Sequence, residues 1–219
     1  MWELRRPTPA CPEDRLIINR REIAIDQYPN FATLARSETK GSDYRIELAE
    51  VVSSSVAVIA PHGGSIERRT SEIARAIAGD DFNCYLFEGL DPAGSFETLH
   101  ITSHRFDEPK CLELLTRCDT VLAVHGASGD QQGVMLGGLD SDLRSQMASA
   151  LANAGIDVHS EGHNFPGTHP RNICNRGRRG KGVQLELTDG LRGAPSEHRV
   201  VESVRDILFA YAHDAQKTR

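Results

Sequence analysis

From residue 56 onward, short apolar runs alternate with segments whose apolar residues recur at helical spacing. Val56-Ala57-Val58-Ile59-Ala60, Cys84–Phe87, Thr120–Val124, Val134-Met135-Leu136 and Val183–Leu187 read as strands, and Ile156-Asp157-Val158 starts another. Helices are predicted from about Ser71 to Ala78, near Pro109 to Arg117, over Asp140 to Ala154, and from Glu197 to Ala215. Thr70 or Ser71 caps the first, while the third is the clearest, with Leu143, Met147 and Leu151 on one face and Gly155 as its stop. Leu99-His100-Ile101-Thr102 reads as extended. Strands alternating with helices predict an α/β fold: a single-domain open sheet, mixed or mostly parallel, with helices on both faces.

Two regions lack this pattern. The first forty residues carry prolines at 7, 9 and 12 and weak periodicity, so 1–40 reads as a surface-laid N-terminal extension and 41–219 as the domain proper. The stretch from His159 to Gly182 has glycine, proline, asparagine and arginine in place of periodic apolar residues, and a loop of that length in a compact domain is usually functional.

Composition narrows the class. A chain of 219 residues with 39% hydrophobic content buries one sizeable core. The net charge of -6 gives no global attraction to nucleic acid or to anionic membranes, so an anionic partner must be held locally. Five cysteines, an odd number without a Cys-x-x-Cys pair, argue against a disulfide framework or a thiolate zinc site. No stretch resembles a signal peptide or a membrane span, which points to cytoplasmic synthesis, with release by lysis as the remaining route outward.

Two of the predicted strands end in the same chemistry. Ala60-Pro61-His62-Gly63-Gly64-Ser65-Ile66-Glu67 follows the first, and His125-Gly126 follows Thr120–Val124. The ends of parallel strands converge on one crevice in an open α/β sheet, which brings His62, Glu67 and His125 within reach of each other. Two imidazoles and one carboxylate make a catalytic Zn²⁺ site with a fourth position left for water. Gly63 and Gly64 let the backbone bend so that His62 and Glu67 meet one ion. A zinc hydrolase also needs a carboxylate to move a proton. Glu186, in Gln184-Leu185-Glu186-Leu187, is the first choice, on the strand face opposite its leucine neighbours, and Glu88 is the second. His100, His104, His159, His163 and His169 offer polar groups whose spacing singles out none.

Arg171-Asn172-Ile173-Cys174-Asn175-Arg176-Gly177-Arg178-Arg179-Gly180-Lys181 concentrates five cationic side chains in one glycine-containing segment. In an acidic chain this is a candidate carboxylate or phosphate site, with Arg171, Asn172, Asn175 and Arg176 as its contacts; a solvated basic loop is the equal alternative. The segment lacks the interleaved aromatics of a nucleic-acid surface.

These motifs, together with Thr70-Ser71-Glu72-Ile73-Ala74, Leu86-Phe87-Glu88-Gly89, Leu99-His100-Ile101-Thr102-Ser103 and Phe106-Asp107-Glu108-Pro109, resemble the phage-type poly-γ-glutamate hydrolases over roughly residues 45 to 210. The resemblance implies a zinc enzyme with a metallocarboxypeptidase-like fold that cuts the amide bonds of an anionic polymer, poly-γ-glutamate. It implies His62, Glu67 and His125 as ligands and Glu186 as general base, and Asn175-Arg176 looks like the carboxylate-binding pair of metallocarboxypeptidases. The His62 to Glu67 spacing is wider than the His-x-x-Glu of those enzymes. Two other readings remain at this level: a zinc carboxypeptidase or deacylase acting on small carboxylate-bearing amides, and a non-enzymatic, nucleic-acid-associated phage factor.

Overall fold

A computed structural model describes residues 26–93 and 95–217. Its strands are β1 (Tyr44–Ala49), β2 (Val56–Gly64), β3 (Asn83–Gly89), β4 (Thr120–Ala127), β5 (Gly133–Gly137), β6 (Asp157–His159) and β7 (Val183–Thr188). The helices are α1 (Phe31–Ser37), α2 (Thr70–Ala78), α3 (Ser95–Leu99), α4 (Pro109–Leu115), α5 (Ser141–Asn153) and α6 (Glu197–Lys217), with a 3-10 turn at Ile173–Arg176. All seven strands join one sheet in the order β1-β3-β2-β4-β7-β5-β6. The central strands β3, β2, β4 and β7 run parallel, whereas β1 and β5 pair antiparallel with β3 and β7. The sheet is therefore mixed, and its carboxyl edge is built from three neighbouring parallel strands, β2, β4 and β7.

Each face of the sheet has its own core. On one, Val56, Val58 and Ala60 of β2 and Leu122 and Val124 of β4 pack with Ile73 and Ile77 of α2, Leu143, Met147 and Leu151 of α5, and Val200, Val204 and Leu208 of α6. On the other, Ala57, Ile59, Val121 and Ala123 pack with Leu34, Leu99, Leu114, Leu115, Ile173 and Cys174. Burying such side chains contributes about 1.5 to 3 kcal/mol each, which sets the helices against the sheet more firmly than any helix propensity does.

Several elements differ from the sequence expectation. Tyr44–Ala49 forms β1, an edge strand whose half-exposed pattern the run-based reading passes over. Leu99 closes the short helix α3 instead of opening an extended segment, and His100, Ile101 and Thr102 are irregular. Of the N-terminal stretch, residues 1–25 lie outside the described residues. Residues 26–40 enter the fold: Leu34 of α1 is fully buried, and Asn30 caps that helix by accepting from the Thr33 amide at 2.9 Å. Among the described residues no helix is long and apolar enough to cross a membrane.

A candidate metal centre at the carboxyl edge of the sheet

Alternation alone would aim His62 at the wrong face. Residues 56, 58 and 60 of β2 point to the α2 side, and strict period two would send residue 62 after them. The register between β2 and β3 slips between Ala60 and Gly63, where three steps along β2 oppose two along β3, from Ala60↔Leu86 to Gly63↔Glu88. This bulge sits at Pro61, which has no amide hydrogen for the ladder, and it turns His62 to the other face. The ring of His62 there lies beside His100 and Phe106, and its Nε2 hydrogen-bonds the Ile101 carbonyl at 2.8 Å. On β4, residues 121, 123 and 125 share this face without help, and Gln184 and Glu186 of β7 share it opposite Leu185 and Leu187.

Three side chains converge. His62 Nδ1 lies 3.0 Å from Glu67 Oε1 and 3.1 Å from His125 Nδ1, and His125 Nδ1 lies 3.6 Å from Glu67 Oε2. The turn from β2 into α2 holds Glu67 in place: its amide donates to the His62 carbonyl at 2.9 Å, and the Thr70 hydroxyl donates to the Glu67 carbonyl at 2.7 Å. Glu67 Oε2 also accepts from the Gly126 amide at 2.8 Å, which ties it to β4.

This arrangement passes a simple test for zinc. With metal–ligand bonds of about 2.05 Å, tetrahedral ligands stand about 3.3 Å apart; the two ring nitrogens are 3.1 Å apart, and each lies near that distance from one oxygen of Glu67, His62 from Oε1 and His125 from Oε2. Because His62 Nε2 donates to a carbonyl, its Nδ1 carries the lone pair; two ring nitrogens and a carboxylate then face one point. The Ser103 hydroxyl stands 3.4 Å from His125 Nε2, on the side of the ring away from that point.

The charges are tuned in opposite directions. Burial holds His62 below the ordinary histidine range despite Glu67 beside it. Burial also works against ionising Glu67, but the two histidines outweigh it and keep the carboxyl well below the usual range. His125 is raised: burial opposes its charging, and Glu186 and Glu67 overcome that. Burial pushes Glu186 up to about 7, reinforced by Glu67 and opposed by His125. Glu186 accepts from Gln184 Nε2 at 3.0 Å, and Asn172 Nδ2 donates to Gln184 Oε1 at 2.8 Å, so an amide relay orients the carboxyl.

All of these groups line one cleft of about 890 Å³. Its walls include Pro92, Ala93, Ser95, Phe96 and Glu97 together with Asn164 to His169, and His100, His104, Arg68 and Arg192 also face it. His100 is held by Asp26, whose carboxylate also accepts from the Thr102 amide at 3.0 Å. Asp26 falls in the stretch with weak periodicity, so no pattern marked it. Glu88 lies on the other face of the sheet, in ion pairs with Arg45 at 2.5 Å and Arg75 at 3.9 Å, and has no place in the cleft. His159 pairs with Asp157 on the surface.

The basic segment needs correction. Of its four expected contacts only Asn172 lines the cleft. Arg171 is exposed and near enough to His104 to help lower its affinity for a proton, after burial, His169 and Arg105. Asn175 is buried and fully engaged with backbone, accepting from Leu139 and Gly182 and donating to Gly167 and His169. Arg176 is exposed, outside the cleft, in the neighbourhood of Cys111 on α4. The other cations are neutralised at the amino end of the strands. Arg178 makes a two-bond contact with Asp119, and Arg179 and Lys181 pair with Asp140 at 3.3 and 3.0 Å. Sequence shows charge density but not its partners; among the described residues Arg68 and Arg192, both outside the basic segment, are the guanidinium groups that line the cleft.

A mixed α/β sheet carries at its carboxyl edge a His-Glu-His cluster that could hold a metal ion, with a buried carboxylate beside it. The sequence profile described as poly-gamma-glutamate hydrolase matches residues 28–204, and the chain belongs to that family. It is 39% identical over 168 residues to the SPbeta prophage-derived UPF0714 protein YoqZ of Bacillus subtilis (strain 168), covering 76% of this chain and 60% of that protein. Among solved structures, a bacteriophage poly-gamma-glutamate hydrolase superposes with a TM-score of 0.81 at 32% identity, over 85% of this chain and 98% of that one. A zinc-free form of YndL superposes with a TM-score of 0.77 at 32% identity, over 84% and 98% of the two chains.

Proposed function

We propose that this chain is a zinc-dependent amidohydrolase that cleaves γ-glutamyl amide bonds of poly-γ-glutamate, with His62, Glu67 and His125 as metal ligands and Glu186 as general base. The observation that carries the reading is the convergence of two imidazole nitrogens and the Glu67 carboxylate beside a buried carboxyl raised to about 7. The family and the zinc-free YndL structure support both the metal and the polymer. A zinc ion at this position supplies Lewis acidity, polarising an amide carbonyl and acidifying a water molecule.

The chain's own groups do the rest. Glu186 takes a proton from the attacking water and returns it to the leaving amine, and a carboxyl that titrates near neutrality serves both halves of that transfer. Gln184, bonded to Glu186 Oε1, leaves Oε2 as the proton-carrying atom. For substrate carboxylates, Arg68 is exposed in the cleft next to Glu67 and Arg171 stands near His104 on its rim; Asn172 acts from the cleft wall through Gln184. A guanidinium suits this because its planar fork matches a carboxylate. Incubating the zinc-loaded protein with poly-γ-glutamate and sizing the products tests the reading. Shortened chains, abolished by chelation, support it; an intact polymer in the presence of stoichiometric zinc overturns it.

A further inference from the structure

Arg192 follows the end of β7, and its side chain is only 6% exposed although it borders the cleft. Its guanidinium reaches three separate loops. Nη1 donates to the Arg68 carbonyl at 2.6 Å, and Nη2 donates to the Ala127 carbonyl at 3.2 Å and to the Asp189 carboxylate. Each acceptor sits beside a part of the site: Arg68 adjoins Glu67, Ala127 ends the strand that carries His125, and Asp189 follows the strand that carries Glu186. Gly126 lies between the two systems. Its amide donates to Glu67 Oε2, and a Cβ built on it would fall 2.5 Å from Arg192 Nη1 and 2.6 Å from Cζ.

A buried arginine is an expensive way to gain stability alone. Its Nε is buried and has no hydrogen-bond partner, and an apolar side chain of similar volume would usually serve a core as well or better. A planar cation with several fixed donors does what an apolar side chain cannot: it fixes the relative positions of three backbone segments at once. Metal sites depend on such outer contacts, since ligands must stay within about 0.5 Å of their working geometry.

We propose that Arg192 is a positioning residue that fastens the loops after β2, β4 and β7 to one another and thereby sets the geometry of Glu67 and His125 for metal. The proposal rests on the metal-centre reading above. It is tested by zinc titration against a competing chelator, together with melting of the zinc-free protein, for wild type, Arg192→Ala, Arg192→Lys, Gly126→Ala and the double variant Arg192→Ala/Gly126→Ala. Loss of an outer contact to a metal ligand typically weakens the metal about 10- to 100-fold, and that is the expected rise in zinc Kd for Arg192→Ala. Arg192→Lys should recover little of it, because an ammonium cannot span three loops with a planar fork. Gly126→Ala should weaken zinc in the wild-type background, where the methyl competes with the guanidinium, and change it by less than about twofold in the Arg192→Ala background, where that space is free. A merely structural role would lower the melting temperature of the zinc-free protein while leaving the Kd of folded molecules unchanged and the two substitutions additive. Wild-type protein that takes up no zinc overturns both the metal centre and the clamp. Wild-type zinc binding with Kd unaltered in Arg192→Ala, or in Gly126→Ala should the arginine variant fail to fold, overturns the clamp alone.

Discussion

The two ends of the central parallel strands treat charge in opposite ways. At the amino end lies the second half of the densest cationic stretch of the chain, and there Arg178 meets Asp119 while Arg179 and Lys181 meet Asp140. At the carboxyl end two carboxyl groups are buried and held away from their ordinary ionisation: Glu186 is raised to about 7 by burial, and Glu67 is lowered by its histidines against the pull of burial. Chemistry resides where groups are kept against their preference, and charge that finds a partner belongs to stability. The density of charge in a sequence therefore says less about function than whether the fold neutralises it.

Removing a ligand is the harshest way to break this contrast. His125→Ala or His62→Ala should abolish zinc uptake and activity on poly-γ-glutamate, measured by elemental analysis and product sizing; full occupancy in either would remove that residue from the ligand set. Glu186→Gln comes next. It should lower turnover about a hundredfold to ten-thousandfold with zinc content intact, as loss of a general base does. Because it also deletes a buried carboxyl, its melting temperature should be no lower than wild type, and a clear drop would make Glu186 a structural residue.

The amino end should answer in the other currency. Asp140→Ala leaves Arg179, Lys181 and the Tyr211 hydroxyl without their shared acceptor and should cost about 1 to 3 kcal/mol, read by denaturant unfolding, with turnover per folded molecule unchanged. The smallest effect belongs to Arg176→Ala. An exposed side chain outside the cleft should change stability by less than about 0.5 kcal/mol and leave KM for the polymer as it was. A raised KM there would return substrate recognition to the basic segment.

How much of this was legible depends on which physical signal each feature leaves in the sequence. Apolar runs locate β2 and β4 because strands buried on both faces leave an unbroken run, alternation of Val183, Leu185 and Leu187 with Gln184 and Glu186 locates β7, and the His-Gly and Glu-Leu placements follow directly. The amphipathic face of α5 is equally plain, and Leu143, Met147 and Leu151 are all buried. The bulge at Ala60–Gly63 leaves only a proline as a trace, yet it decides which face His62 occupies. The clamp at Arg192 leaves no trace, since its meaning lies in three carbonyl and carboxylate oxygens far apart in the chain. Arg176 shows the converse: a conspicuous motif whose position in space is ordinary.

The strand order has a consequence in time. β7 lies between β4 and β5, although the chain makes it after both, and β6 joins the sheet only through β5. During synthesis β2, β3 and β4, with His62, Glu67 and His125, emerge long before Glu186, and they are neighbours in the sheet. The strand β5 must wait for β7 before it has a central neighbour, which makes this late, non-local insertion the step that closes the structure. The same insertion brings Glu186, and Arg192 just beyond it, to the His62, Glu67 and His125 cluster, so the cleft is complete only when this last central strand is in place.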